Sequence, residues 1–308
     1  MMKYYLYVLA GACSFGLLST FVKKAYESGF HVGDVVGSQN LFGVLMIWTL
    51  VLVTSKSDRG GTGASTAKYR VSPRQALSLM AVGTTSGLTG IFYYGALQYV
   101  SASFAIILLF QFTWIGIVLE AVIERRRPGK EKIFALCLLF AGILMASGYL
   151  HGGQEAPSLI GIVLGLLSAL TYALFIMFSG KVSSRVAPIT RSAIMQSGSI
   201  ILVMAVYPPH FLWNGSLHGE LLPWALLLAF FGVVIPPLCF AIGVPRIGGG
   251  MATIMSAAEL PTAVIMSYVV LHETVQAVQW IGVVVTMLGI ALPELMKFRQ
   301  RQKQQNAG

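Results

Sequence analysis

The feature that most constrains this chain is the recurrence, from end to end, of apolar runs of about 17–25 residues. At about 1.5 Å per residue each run is long enough to cross a hydrocarbon layer of about 30 Å as a helix. Breaks marked by Gly, Pro and charge clusters predict ten spans, near 4–22, 35–54, 75–97, 102–122, 133–150, 158–179, 192–208, 222–243, 249–271 and 277–296. Only 10% of the residues are charged, against about a quarter in an ordinary soluble domain. No alternating apolar and polar rhythm of the kind a β-barrel needs is present. The fold class is therefore an all-α integral membrane protein. The longest polar stretch, 55–74, is rich in Gly, Ser and Thr and reads as a loop.

The net charge of +10 does not point to nucleic acid, because the charges sort by side. With ten spans and an inner N-terminus, 19 of the 21 Lys and Arg fall on the inner side, leaving Lys23 and Lys24 outside. That asymmetry predicts a multi-pass protein of the cytoplasmic membrane with both termini cytoplasmic. The basic residues are read as topology determinants and contacts to anionic lipid, those of 297–308 forming a basic tail. The "LAGAC" stretch at 9–13 is read as part of the first span, since the apolar run continues to Val22. Cys13, Cys137 and Cys239 have no metal or redox spacing, and the five histidines form no helical ligand pair, so neither a metal nor a cofactor is expected.

Glu259 is the one ionisable side chain in the run "GGMATIMSAAELPTAVIMSYVVL", about ten residues, or roughly 15 Å, from the inner end. A carboxylate at that depth costs about 2.5–3.5 kcal/mol on an insertion scale, so lipid exposure is disfavoured. Ser256, Glu259 and Thr262 at i, i+3 and i+6 form a polar stripe, and Pro261 is expected to free the carbonyl of Ala257. Two roles stay open for the acid: proton exchange or contact with a cationic substrate group from a cavity, or a hydrogen bond locking the ninth helix to a neighbour. Pro236 and Pro237 in "GVVIPPLCF" predict a kink in the eighth span.

Glu124 and Glu273 each end an apolar helix that is followed by a short turn and a Gly-bearing helix, with five spans before each. An odd number of spans per half places the halves upside down to one another, as in many secondary transporters. With "CSFGLLSTFVKK" in the first span, "LTYALFIMFSGK" in the sixth, and Pro261, Glu273, Gln279, Gly282 and Gly289 at the end, the chain resembles the EamA family of the drug/metabolite transporter superfamily. The first half departs from the pattern, with Phe112 at its proline position and two extra residues after Glu124. The resemblance implies ten helices as two inverted five-helix repeats, 1–150 and 157–296. It also implies a central cavity lined by the first, third, fourth, sixth, eighth and ninth helices.

Polar and aromatic residues deep in those helices are the further binding candidates: Gln111 with Trp114, Tyr94 with Gln98, and Tyr172. Glu120 lies near the inner surface, within reach of the arginines there, and is left out of the site. The expected function is a secondary transporter moving a small metabolite, an amino acid or related compound, outward by alternating access, with protons as a coupling ion. The competing class is a membrane scaffold or sensor, which needs no buried acid. An enzyme is not expected, because no H-E-x-x-H, G-x-S-x-G or P-loop pattern occurs. The residues carry no signature of an oligomeric state.

Overall fold

The computed structural model describes residues 2–57, 71–100, 102–148, 158–183, 186–213, 215–218, 221–272 and 274–305. Most of the 55–74 loop, His151 and Glu273 therefore lie outside the described residues. In chain order the helices are α1 (Met2–Glu27), α2 (Val32–Ser57), α3 (Pro73–Ala96), α4 (Ala102–Leu109), α5 (Phe112–Glu124), α6 (Lys130–Ala146) and α7 (Leu159–Lys181). They continue as α8 (Pro188–Val206), α9 (Leu221–Leu228), α10 (Ile235–Ile247), α11 (Gly249–Ser256), α12 (Glu259–Val270) and α13 (Ala277–Gln305). No strand occurs among the described residues.

Among the described residues, eight helical segments are long and apolar enough to cross a membrane, ending with Leu221–Ile247 and Gly249–Val270. The expected spans at 133–150 and 277–296 appear as α6, which has 17 residues, and as the shorter apolar part of α13, Ala277–Pro293. These two run against each other. A Cβ on Gly142 would overlap the Thr286 side chain, and one on Gly282 would overlap the Ala146 backbone. In lipid, where apolar burial between helices gains little, such close approach of small residues is what holds helices together. The same device joins α3 to α8, where Gly83 faces the Met195 backbone and Gly198 faces the Met80 backbone.

The start of α3 is set locally. Pro73 occupies the first turn, the Ser72 hydroxyl accepts from Gln75 N–H, and the Gln75 side chain accepts from Ser72 N–H, a complete capping box. Around this frame α3 packs between α7 and α8, α1 lies on α10 and α12, and α11 lies on α5 and α7.

Three helical regions depart from regular geometry. The expected span at 222–243 runs from Leu221 to Ile247 with a π-helical segment at Ala229–Val234, directly before Pro236 and Pro237. The prolines leave carbonyls without N–H partners, and neighbouring helices supply them. Ile235 N–H goes to Phe230 and Pro236 has none to give, so the Phe231 carbonyl accepts from Ser14 Oγ of α1 at 2.6 Å. One turn before Pro237, the Val233 carbonyl accepts from Gln196 Nε2 of α8 at 3.0 Å. One turn before Pro245, the Ala241 carbonyl accepts from the Arg191 guanidinium, which is only 1% exposed. The irregular segment is thus clamped from two sides by side chains.

The expected ninth span, 249–271, is not one helix. It breaks at Ala257–Ala258 into α11 and α12, with tight turns from Ala257 N–H to Ile254 and from Ala258 N–H to Met255. The Ala257 carbonyl that Pro261 was expected to release accepts from Leu260 N–H at 3.2 Å, because the chain tightens to an i+3 bond there. The fourth span breaks in the same manner at Phe110–Gln111, between α4 and α5, without a proline.

Candidate functional site

The break in the ninth span puts Glu259 at the first position of α12, aimed at the bundle interior. Tyr172, 5% exposed in the middle of α7, donates its phenolic hydroxyl to Glu259 Oε2 at 3.2 Å. Phe15 of α1 and Phe112 of α5 both stand edge-to-face with the Tyr172 ring, at centroid distances of 5.8 and 4.7 Å. Tyr93 of α3 packs against the core cluster that holds Tyr172 and Phe112. Helix α1 approaches closely because position 16 is glycine: a Cβ there would stand 2.5 Å from the Glu259 carbonyl oxygen and 2.6 Å from Thr262 Cβ.

Helix α3 leaves space on the face that carries Tyr93. On α3, Gly83 and Gly87 face α8, while Thr89 meets Thr171 of α7 at 3.0 Å between hydroxyls. The face between those two contacts carries Ser86, Gly90 and Tyr93 at i, i+4 and i+7, and so turns to the middle of the bundle. A Cβ built on Gly90 meets nothing within 4 Å. Glu259, Thr262, Phe15 and Tyr93 are all partly open rather than fully packed. Acid and aromatic rings thus meet inside the protein, and the face of α3 that carries Tyr93 has space at Gly90.

The other expected residues are distributed as follows. Ser256 ends α11, is fully buried, and its hydroxyl makes no hydrogen bond to Glu259 because the helix break intervenes. Thr262 Oγ1 bonds back to the Ala258 carbonyl at 2.9 Å, and Pro261 is buried in the first turn of α12. Gln111 and Trp114 do meet, indole N–H to Gln111 Oε1 at 2.8 Å, but Trp114 is 38% exposed. It lines an outer apolar groove with Val163, Leu166 and Leu170 of α7, away from Glu259. Tyr94 joins a separate cluster with Phe21, Val35 and Phe211. Gln98 is not on α3 at all: the helix stops at Ala96, and Gln98 is exposed in a tight turn closed by its own N–H to the Gly95 carbonyl. Pro236 and Pro237 sit buried at the start of α10.

Sequence alone does not single out Phe15 and Phe112, which flank the Tyr172 ring, or Tyr93 in the same core cluster; the spacing of Ser86, Gly90 and Tyr93 is the available signal for the last. The sequence reading also passed over Glu120. That carboxylate is buried, accepts from Gly250 N–H at 3.0 Å, and forms an ion pair with Lys132 rather than with the arginines. It caps the first turn of α11, where the missing Cβ atoms of Gly248 and Gly250 leave it room. A more exposed pair, Lys181 with Glu124 at 3.1 Å, ties α7 to α5. Among the described residues no three His, Cys, Asp or Glu side chains come together to hold a metal.

A multi-pass helical membrane protein with a polar, partly open centre is the class that this architecture defines. A family profile described as the EamA-like transporter family matches residues 2–148 and 159–293. The chain belongs to that family and is a membrane transporter. Its curated relatives agree. It is 22% identical to the uncharacterized transporter YcbK of Bacillus subtilis over 90% of this chain and 88% of that one. It is 26% identical to the uncharacterized inner membrane transporter YicL of Salmonella typhimurium over 82% and 83%. A match to the uncharacterized transporter sll1319 of Synechocystis, at 23% identity, spans 66% of this chain and 63% of that protein. A solved crystal structure shares the fold, with a TM-score of 0.74 and 17% identity over 94% of this chain and 98% of the other.

Proposed function

We propose that this transporter is a secondary carrier that moves a small metabolite, an amino acid or related compound, outward across the cytoplasmic membrane by alternating access, with both termini cytoplasmic. The two halves, 1–150 and 157–296, act as inverted five-helix repeats that rock about a site centred on Glu259. The observation that carries this reading is the Tyr172–Glu259 hydrogen bond at an interrupted helix inside the bundle. A carboxylate held there by one phenol, with its remaining lone pairs available, suits a group that exchanges partners during a cycle. The paired interruptions at Phe110–Gln111 and Ala257–Ala258 support the repeat relation, since they fall in the fourth helix of one half and its counterpart in the other. Broken backbone inside a membrane protein is a frequent place for substrate and ion sites.

The test is purified protein in liposomes, challenged with a metabolite panel under imposed pH and voltage gradients. Counterflow of at least one compound is expected, together with a pH dependence that changes in Glu259→Gln. Absence of counterflow for every compound refutes the carrier reading. Unchanged rate and pH dependence in Glu259→Gln removes the acid from the mechanism.

A further inference from the structure

We propose that the site around Glu259 selects organic cations: compounds carrying a positive charge on an apolar or aromatic body and no free carboxylate. The proposal rests on the carrier reading above and narrows its substrate to the related compounds that keep the cationic nitrogen and lack the carboxylate, setting amino acids themselves aside. The first ground is charge. Among the described residues of the helices around the site, Glu259 is the only acid at mid-span, and the ion pairs are made by Glu120 and Glu124 instead. The Lys and Arg residues of α1, α3, α6 and α7 all fall in or near terminal turns, and α5 and α12 contain none. Arg191 is committed to the Ala241 carbonyl on α10 and Lys132 to Glu120. A substrate carboxylate entering beside Glu259 would meet a like charge and no counter-ion, whereas an ammonium group would meet a carboxylate oxygen.

The second ground is shape and chemistry. Phe15 and Phe112 stand against the ring of Tyr172, which bonds the acid, and Tyr93 packs in the same core cluster, so four helices bring aromatic rings to this region. The faces of aromatic rings carry negative electrostatic potential and attract desolvated cations within about 6 Å. Phe15 and Tyr93 are the two of these rings left partly open. The Tyr172 hydroxyl donates to one carboxylate oxygen, Oε2, and holds the acid in place. Space for an apolar body lies along Gly90, where α3 carries no side chain.

The test uses three probes with one aromatic body: (2-phenylethyl)trimethylammonium as the cation, phenylalanine as the zwitterion and 3-phenylpropionate as the anion. Binding is followed by calorimetry on the detergent-purified full chain and counterflow in liposomes. The cation is expected to bind at least tenfold more tightly than either other probe. That preference should fall at least tenfold in Glu259→Gln and persist in Glu259→Asp, a pair that separates charge from folding. Binding or counterflow of phenylalanine at equal or better strength overturns the cation assignment while leaving the carrier reading standing. Failure of all three probes to bind the folded protein also overturns it. Loss of counterflow for an entire metabolite panel instead strikes the carrier reading.

Discussion

Two glycines seven residues apart on α3 make opposite demands, and substituting each isolates the open centre. At Gly83 a new Cβ would fall inside the backbone of Met195 on α8. The helices would have to part, at a cost of about 1–3 kcal/mol for such overpacking. At Gly90 a new Cβ touches nothing within 4 Å, so Gly90→Ala involves no clash and returns at most about 1 kcal/mol of helix propensity. The expected stability difference between Gly83→Ala and Gly90→Ala is therefore roughly 1–4 kcal/mol. Gly90→Leu extends the test, since its side chain projects into the space on the helix face shared with Tyr93. Thermal unfolding in detergent, read by tryptophan fluorescence, should place Gly90→Leu at or above the native chain and Gly83→Ala clearly below it. Counterflow per folded molecule should fall at least tenfold in Gly90→Leu and change little in Gly90→Ala. Wild-type counterflow in Gly90→Leu, or unfolding of Gly90→Ala, refutes the assignment of that face to a cavity.

Removing the Glu120 carboxylate by Glu120→Ala leaves Lys132 and the first turn of α11 without their partner, and unfolding should show a loss of about 3–5 kcal/mol; in the double variant with Lys132→Met the loss should be smaller than the sum of the two single changes. Lys181→Ala breaks an exposed pair and should cost under about 1 kcal/mol in the same assay. Gln196→Leu orphans the Val233 carbonyl beside Pro237, with an expected loss of about 1–3 kcal/mol, visible as faster amide hydrogen exchange in α10. Tyr172→Phe removes the hydroxyl from Glu259 while keeping the ring; folding should hold and counterflow should drop, whereas unchanged counterflow would assign that bond a packing role only.

Much of the fold was legible because lipid imposes a length and a polarity on every span. The apolar runs located the helices, and the lone acid in the ninth run drew attention to the position where the break occurs. Orientation about each helix axis was not legible. In a chain apolar on all sides, a lipid-facing residue and a helix-facing residue look alike, since both surroundings are oily. Trp114 accordingly read as a cavity residue and stands in an outer groove, while Tyr93 went unremarked beside Tyr94. Local hydrogen bonding set the remaining differences. The break at Phe110–Gln111 has neither Gly nor Pro to announce it, and α3 closes early through the Gly95 carbonyl, which takes Gln98 off the helix. Partners of proline-orphaned carbonyls, such as Arg191 and Gln196, come from helices distant in sequence and required the packing to be known.

The claim at the centre of the account is that Glu259 borders water enclosed within the bundle. Cysteine labelling tests it most directly. In a chain with Cys13, Cys137 and Cys239 replaced by serine, Glu259→Cys is exposed to a charged, membrane-impermeant thiosulfonate. The account predicts modification, and protection from it by a transported compound. Labelling solely by a lipid-soluble maleimide, with none by the charged reagent from either side of the membrane, would contradict it.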